Sequence, residues 1–395
     1  MNTDVLVVGG AMAGIRTAEG LRRMKFAGRV VVLEAGTDLL YDRPALSKQI
    51  LTDGAEAAAV MLRTADELAA ANVELVRGHR AVSADVDART VTLDDGTTWS
   101  YRDLVVATGS TPRRLPGAED RPGVHYLRTL DDALALRSAV RAAQRVVVVG
   151  AGFIGSEVAA AAAAAATSVT VVEPFAQPLG RVLGDVVGER LARLHRSRGV
   201  DLRLGRTVTR VQPDLTVLLD DGSELQADVV VVGIGATPNT EWLDGSGLDV
   251  RDGVVCDEFC RASAEHVYAV GDVARWPNSL FDESMRIEHW TNAVEQAGVL
   301  AWNLTHPLAP RAYAPVPYVW SDQYGSRLQI VGRPRVDDEV RIVTDDSETG
   351  SLVALYVRDG RLSGAFGLDA PQAVMAMRRA LAARTPLEDL LELQK

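Results

Sequence analysis

The sequence predicts an α/β protein: two Rossmann-like dinucleotide-binding domains followed by a small α+β domain. Three observations carry that expectation. An apolar strand, a glycine turn and a helix occur twice, as "VLVVGGAMAGIRTAEGLRR" and "RVVVVGAGFIGSEVAAAAA". The two copies also close alike, with "LDDGTTWSYRDLVVATGSTP" matching "LDDGSELQADVVVVGIGATP". After Pro315 the pattern changes to short strands with turn signals, then a helix from about Pro371 to Ala383.

At 395 residues the chain is long enough for two or three domains, each with its own core. A hydrophobic fraction of 47% excludes global disorder, and a net charge of −11 argues against a general nucleic-acid binder. No apolar stretch has the length of a membrane span, and "DVLVVGG" opens a strand with no signal peptide visible before it. A cytoplasmic protein that works away from membranes and nucleic acid is expected. Cys256 and Cys260 are spaced C-x3-C, without histidines at ligand spacing, so they read as structural thiols and no metal site is expected.

In the first copy, "DVLVVGG" is the continuous apolar run of a buried parallel strand. Gly9 and Gly14 hold two of the three places of a phosphate-binding turn, and Ala11 takes the middle one. The next strand, "VVVLEAG", ends in Glu34. The second copy has the full G-x-G-x-x-G at Gly150, Gly152 and Gly155, with Phe153 and Ile154 inside it and Glu173 eighteen residues on. Such glycines let the backbone approach a pyrophosphate that sits on a helix N-terminus. An acid ending the second strand accepts hydrogen bonds from ribose hydroxyls and repels a 2′-phosphate, which predicts NADH over NADPH. The run Ala159 to Ala166 reads as close helix–sheet packing. Further on, "EHVYAVGDVARWP" is a strand ending in Gly271-Asp272, and "EHWTNAVEQAGVLAWNL" is a helix beginning near Trp290. Asp272 also suits a helix cap before "VARW".

Together with the two dinucleotide folds, "DRPALSK", "ATG", "VYAVGD", "EHWTNA" and "VWSDQYG" resemble the FAD-dependent, NADH-linked ferredoxin reductases of bacterial oxygenase systems. The resemblance covers essentially the whole chain. It implies a glutathione-reductase-like fold with a discontinuous FAD domain (1–111 and 245–314), an NAD domain (112–244) and a C-terminal domain (315–395). It also implies FAD and NADH as cofactors, a small iron–sulfur ferredoxin as partner and, through it, a terminal oxygenase. Gly9, Ala11, Gly14 and Glu34 would hold the ADP half of FAD, and Arg43 would approach the flavin or its pyrophosphate. Thr108-Gly109 would line the adenosine side, while Gly235, in the matching segment of the second copy, belongs to the nucleotide-binding set. Gly271-Asp272 would place a carboxylate on a ribityl hydroxyl. The helix from Trp290, with His289 beside its first turn, would aim its positive end at the flavin pyrimidine.

The stretch "YDRPALSKQ", Tyr41 to Gln49, contains no sulfur where disulfide-reducing relatives relay electrons through thiols. By the resemblance, Lys48 pairs with Glu157 beside flavin N5, and electrons leave singly to an external carrier past Trp320. Arg311, Arg327, Arg333 and Arg335 cluster in the same segment, and some of them are expected to form a basic rim for an acidic ferredoxin. An NADH oxidase or rubredoxin reductase on the same scaffold, or a flavoprotein like apoptosis-inducing factors, stay open at this stage.

Overall fold

Four consecutive valines in the strand Arg145–Val149 divide between two cores. Val147 and Val149 face one, with Val230 and Val232 of the neighbouring strand, while Val146 and Val148 face the other with Val229 and Val231. A parallel strand covered on both sides must be apolar at every position, which is why "RVVVV" and "DVVVV" show no alternation. The computed structural model describes residues 1–37, 40–52, 55–346 and 349–392. It divides into two compact units.

The first unit comprises Met1–Asp42, Val60–Thr111 and Thr237–Pro317. Its parallel strands run in the order Val73–Arg77, Val30–Glu34, Asn2–Val8, Thr98–Val106, and Val267–Ala269 pairs with the far side of Thr98–Val106. The helices Met12–Arg23 and Trp290–Thr305 pack so closely that a Cβ on Gly20 would lie 2.7 Å from the Ala301 methyl. One hydrophobic core serves the whole unit.

The second unit comprises Arg43–Ala59, Pro112–Ala236 and Tyr318–Lys395. Its parallel sheet runs Val124–His125, Val229–Val232, Arg145–Val149, Ser168–Glu173, Asp201–Leu204. A five-stranded antiparallel sheet follows in the order Tyr318–Gln323, Ser326–Gly332, Arg361–Leu368, Leu352–Arg358, Glu339–Asp345, covered by the helix Pro371–Ala383. Ala159 to Ala164 of the alanine run lie on the helix Phe153–Ala164; Ala159 to Ala162 are buried against the sheet, while Ala164 to Ala166 are exposed at and beyond the helix end. The first half of the run has the packing role expected of small side chains.

Two boundaries differ from the expected domain limits. The return to the first unit comes at 237 rather than 245, because Trp242 and Leu243 are buried in its core. The segment 43–59 belongs to the second unit: Ile50 and Leu46 are buried, and Arg137 donates to the carbonyls of Ile50 (3.3 Å) and Ala55 (3.2 Å). The central and C-terminal portions also share a core. Leu179, Leu183, Val187 and Leu191 recur every four residues along the helix Gly180–Ser197 and its entry, and pack on Leu328, Ile330, Tyr356 and Phe366. The expected domain's last three residues, 393–395, lie outside the described residues.

Candidate functional site

Both glycine turns have the same construction. A Cβ on Gly14 would lie 1.9 Å from the Gly9 carbonyl oxygen, and one on Gly155 would lie 2.0 Å from that of Gly150. Only glycine permits this crossing of strand end and helix start. The helices that follow are capped by Ala11 and Gly152, neither of which supplies a side-chain acceptor, and neither first turn carries an acid. The positive helix end is therefore left for an exogenous anion. Ala11 in the middle place leaves this geometry intact.

The two acids are anchored alike. Glu34 accepts the Gly10 N–H at 2.7 Å on one oxygen and the Gly36 N–H at 2.9 Å on the other. Glu173, buried, accepts the Ala151 N–H at 2.5 Å and the Phe175 N–H at 3.1 Å. Each carboxylate is fixed over its turn, with lone pairs to spare for hydroxyl donors. Ile154 is exposed in the first turn of its helix, and Phe153 is partly buried against the core of the antiparallel sheet. Gly235 lies in open space: a Cβ there would meet nothing within 4 Å.

In the first unit, Thr108 and Gly109 are tied to Asn239. The Thr108 hydroxyl donates to the Asn239 carbonyl (2.7 Å), the Asn239 amide donates to the Thr108 carbonyl (2.9 Å), and the Asn239 N–H donates to Gly109 (2.9 Å). Gly271-Asp272 forms a short turn that leads into the strand Ala274–Asn278, so Asp272 caps no α-helix. Its carboxylate accepts from Ser110 at 3.2 Å, and the Gly271 N–H is held by Gln296 at 2.8 Å. The helix Trp290–Thr305 starts after His289 with no side-chain cap and no acid in its first turn. The Trp290 indole N–H donates to Asp42 at 2.8 Å.

In the second unit the structure brings Lys48 and Glu157 together. The Lys48 ammonium stands 2.8 Å from one oxygen of Glu157, which lies one turn into the helix after Gly155 and is buried. The same oxygen accepts from Ser321 at 2.7 Å, and the other accepts from Ser47. Lys48 also reaches the Pro44 carbonyl at 3.4 Å. Arg43 opens the short turn Arg43–Ala45, and its buried Nε has no hydrogen-bond partner among the described residues.

Trp320 is half-buried on the strand Tyr318–Gln323, its ring stacked 6.0 Å from Tyr318, over which Arg378 stands at 5.5 Å. The structure separates Arg327 from Arg333, two of the four arginines grouped by the sequence. Arg311 lies in the first unit with its guanidinium 3.4 Å over the Trp302 ring. Arg327 and Arg333 stand at opposite ends of the strand Ser326–Gly332, roughly 20 Å apart at about 3.3 Å per residue. Arg327 is ion-paired with Asp322 at 2.7 Å. Nearness in sequence hid this, because an extended strand separates its ends.

Sequence reasoning passed over Ser47, Ser321, Gln323, Asp42, Asn239 and Gln296. A signal existed for two of them, since Ser321 and Gln323 are polar at the inward positions of an alternating strand.

Residues 3–297 match the family model for pyridine nucleotide-disulphide oxidoreductases, and 318–391 match that for a reductase C-terminal domain. This chain belongs to the pyridine nucleotide-disulphide oxidoreductase family. It is 39% identical to the ferredoxin–NAD(+) reductase component of an anthranilate 1,2-dioxygenase system from Burkholderia cepacia, covering 96% of this chain and 94% of the relative. It is 36% identical to putidaredoxin reductase of Pseudomonas putida, over 98% and 93% of the two chains. Among solved structures it is similar to the covalent putidaredoxin reductase–putidaredoxin complex, with a TM-score of 0.92 at 35% identity over 98% of this chain and 95% of that one.

The disulphide of the family name has no counterpart in the "YDRPALSKQ" segment of this oxidoreductase. Its two cysteines are buried free thiols, Cys256 pushed up to about 12 and Cys260 well above its ordinary value by burial. Neither is a thiolate at neutral pH, and neither can serve as an exchange nucleophile. A dinucleotide fits each glycine turn. Each site offers an uncapped helix end for pyrophosphate and an anchored carboxylate for ribose, and the orphaned Arg43 Nε is a further donor suited to an anionic or carbonyl acceptor.

Proposed function

We propose that this chain takes a hydride from NADH onto FAD and passes the electrons one at a time to a small iron–sulfur ferredoxin that feeds a monooxygenase or dioxygenase. The observation that carries this reading is the buried Lys48–Glu157 ion pair at the head of the second dinucleotide turn, in a chain without a reactive thiol. FAD supplies the exchange between a two-electron hydride donor and a one-electron acceptor.

The protein's part is binding, orientation and electrostatics. In the first unit Gly9, Ala11 and Gly14 admit the pyrophosphate of FAD to the helix end, and Glu34 takes the adenosine ribose. Thr108 and Gly109 line the adenosine, held in place by Asn239. Asp272, set by the Gly271 turn, accepts from a ribityl hydroxyl. His289 and Trp290 would offer the start of their helix to the flavin, where its dipole would favour negative charge. In the second unit Gly150, Gly152 and Gly155 hold the NADH pyrophosphate, Glu173 takes its adenosine ribose, and Phe153, Ile154 and Gly235 bound the rest. Lys48, kept charged and oriented by Glu157, would polarise the flavin, and Arg43 would offer a further donor. Trp320 stands on the path by which electrons leave.

No helix among the described residues is long and apolar enough to cross a membrane. We place the protein in the cytoplasm, where NADH is supplied. The test is an anaerobic NADH titration of the yellow protein, followed by a ferredoxin-coupled assay. One equivalent of NADH bleaches the flavin, and a two-iron ferredoxin is then reduced far faster than dioxygen. Preferential reduction of dioxygen would make it an NADH oxidase instead. A long-lived charge-transfer complex with negligible ferredoxin turnover would favour a signalling flavoprotein.

A further inference from the structure

A buried carboxylate with one ammonium partner still has lone pairs that burial leaves unsatisfied, and a carboxylate so placed swings or loses its charge. Glu157 avoids this with two hydroxyl donors from distant segments. Ser47, from the turn that carries Lys48, donates to one oxygen, and Ser321, from the first strand of the antiparallel sheet, donates to the oxygen that also faces Lys48 at 2.8 Å. Ser321 is itself fixed. Its oxygen accepts from the Gln323 amide at 3.1 Å, which turns the hydroxyl proton toward the carboxylate. Ser47, Glu157, Ser321 and Gln323 are each at most 3% exposed, so water cannot replace any of these bonds.

We infer that Ser47 and Ser321, the latter aimed by Gln323, are positioning residues for hydride uptake that act by holding the Glu157 carboxylate against Lys48. The inference deepens the reading of the Lys48–Glu157 pair and rests on it. It gives the C-terminal sheet two tasks on one strand. Trp320 and Tyr318 occupy one face, and Ser321 and Gln323 occupy the other, pointing inward to the ion pair. Removing a hydroxyl leaves the carboxylate free to rotate off the ammonium, so the lysine loses its fixed direction. The cost falls on the rate of flavin reduction rather than on nucleotide affinity.

Stopped-flow reduction by NADH is compared in the flavin-loaded wild type, Ser321→Ala, Ser321→Thr, Ser47→Ala, Glu157→Gln and the double variant Glu157→Gln/Ser321→Ala. Ser321→Ala is expected to lower the limiting rate about tenfold, the size of one hydrogen bond to a charged group, with the apparent Kd for NADH unchanged. Ser321→Thr restores the rate by returning the hydroxyl. With Glu157→Gln already present, adding Ser321→Ala costs little, because Ser321 acts only through the carboxylate. The thermal midpoint of the flavin-loaded protein follows the same cycle, falling with Ser321→Ala in the wild-type background and much less in the Glu157→Gln background. Ser47→Ala provides the same readings from a separate segment should Ser321→Ala fail to fold. A wild-type rate in both serine variants, beside a slow Glu157→Gln, would overturn the inference while leaving the ion pair's role standing. So would an undiminished serine effect in the Glu157→Gln background. A wild-type rate in Glu157→Gln would overturn the pair's role and this inference together.

Discussion

The Lys48 ammonium and the Glu157 carboxylate meet at 2.8 Å, with side chains only 17% and 2% exposed. So enclosed, the pair interacts more strongly than a surface ion pair, and removing the lysine strands a buried carboxylate. Lys48→Ala is expected to keep bound FAD, because the glycine turn, Glu34 and Asp272 belong to the first unit, while slowing flavin reduction by NADH. A loss of about 2–4 kcal/mol in the barrier is typical for one preorganised electrostatic group. Stopped-flow reduction at the wild-type rate, with stoichiometric flavin, would remove the lysine from the site.

Nucleotide choice is expected to follow from Glu173. Its carboxylate is pinned by the N–H groups of Ala151 and Phe175, so it cannot swing away to admit a 2′-phosphate. "EPFAQ" supplies no arginine or lysine to counter that charge. The ratio of kcat/KM for NADH over NADPH is expected to exceed about a hundredfold, roughly the cost of one unpaired like-charge contact. Equal values would sink the assignment of Glu173 to the ribose.

Much of this site was legible because it is local. Strand, glycine turn, helix and terminal acid lie within some thirty residues, so spacing alone conveys the geometry, and Ala11 changed nothing because the turn needs glycine only where backbone crosses backbone. Lys48 and Glu157 came from resemblance, since no local pattern links residues so far apart. Ser321 and Gln323 were in plain view in "VWSDQYG", but inward-pointing polar residues announce that something polar faces them without saying what. The spacing of the arginines was illegible for the complementary reason. Arg327 and Arg333 are close in sequence, yet a strand holds them apart, and Asp322 already occupies one of them. The helix Gly180–Ser197 has leucines and valines at helical spacing, but their target is a sheet more than a hundred residues on.

Acid stability reports on His195. Its ring lies 2.6 Å from the Tyr324 hydroxyl and packs edge-on against that ring, and burial holds it down to about 4. In the unfolded chain a histidine titrates near 6.5, so the unfolded state binds the extra proton first as pH falls. The neutral ring's contribution is complete above about pH 6.5 and is lost progressively down to about 4, up to roughly 3 kcal/mol. The thermal midpoint is expected to fall across that window, and His195→Gln should flatten the slope there while lowering the midpoint at neutral pH. A variant with the wild-type slope would show that other groups drive the acid response.

Electron exit is the last test, and the structure sharpens it. Trp320 is half-buried and stacked on Tyr318, an arrangement that leaves part of the indole accessible while fixing its plane. Arg378 over the Tyr318 ring adds a cation beside this aromatic pair. Trp320→Ala is therefore expected to impair ferredoxin reduction about tenfold or more, the cost of losing an aromatic anchor at a contact surface. Hydride uptake from NADH should change less than about twofold, because Ser321 and Gln323 hold the ion pair from the opposite face of the strand. Salt provides the second arm. Arg327 is ion-paired with Asp322, so Arg327→Ala should leave the salt response of ferredoxin turnover intact. Ferredoxin turnover that ignores both the Trp320 substitution and ionic strength would place the exit route elsewhere on the protein.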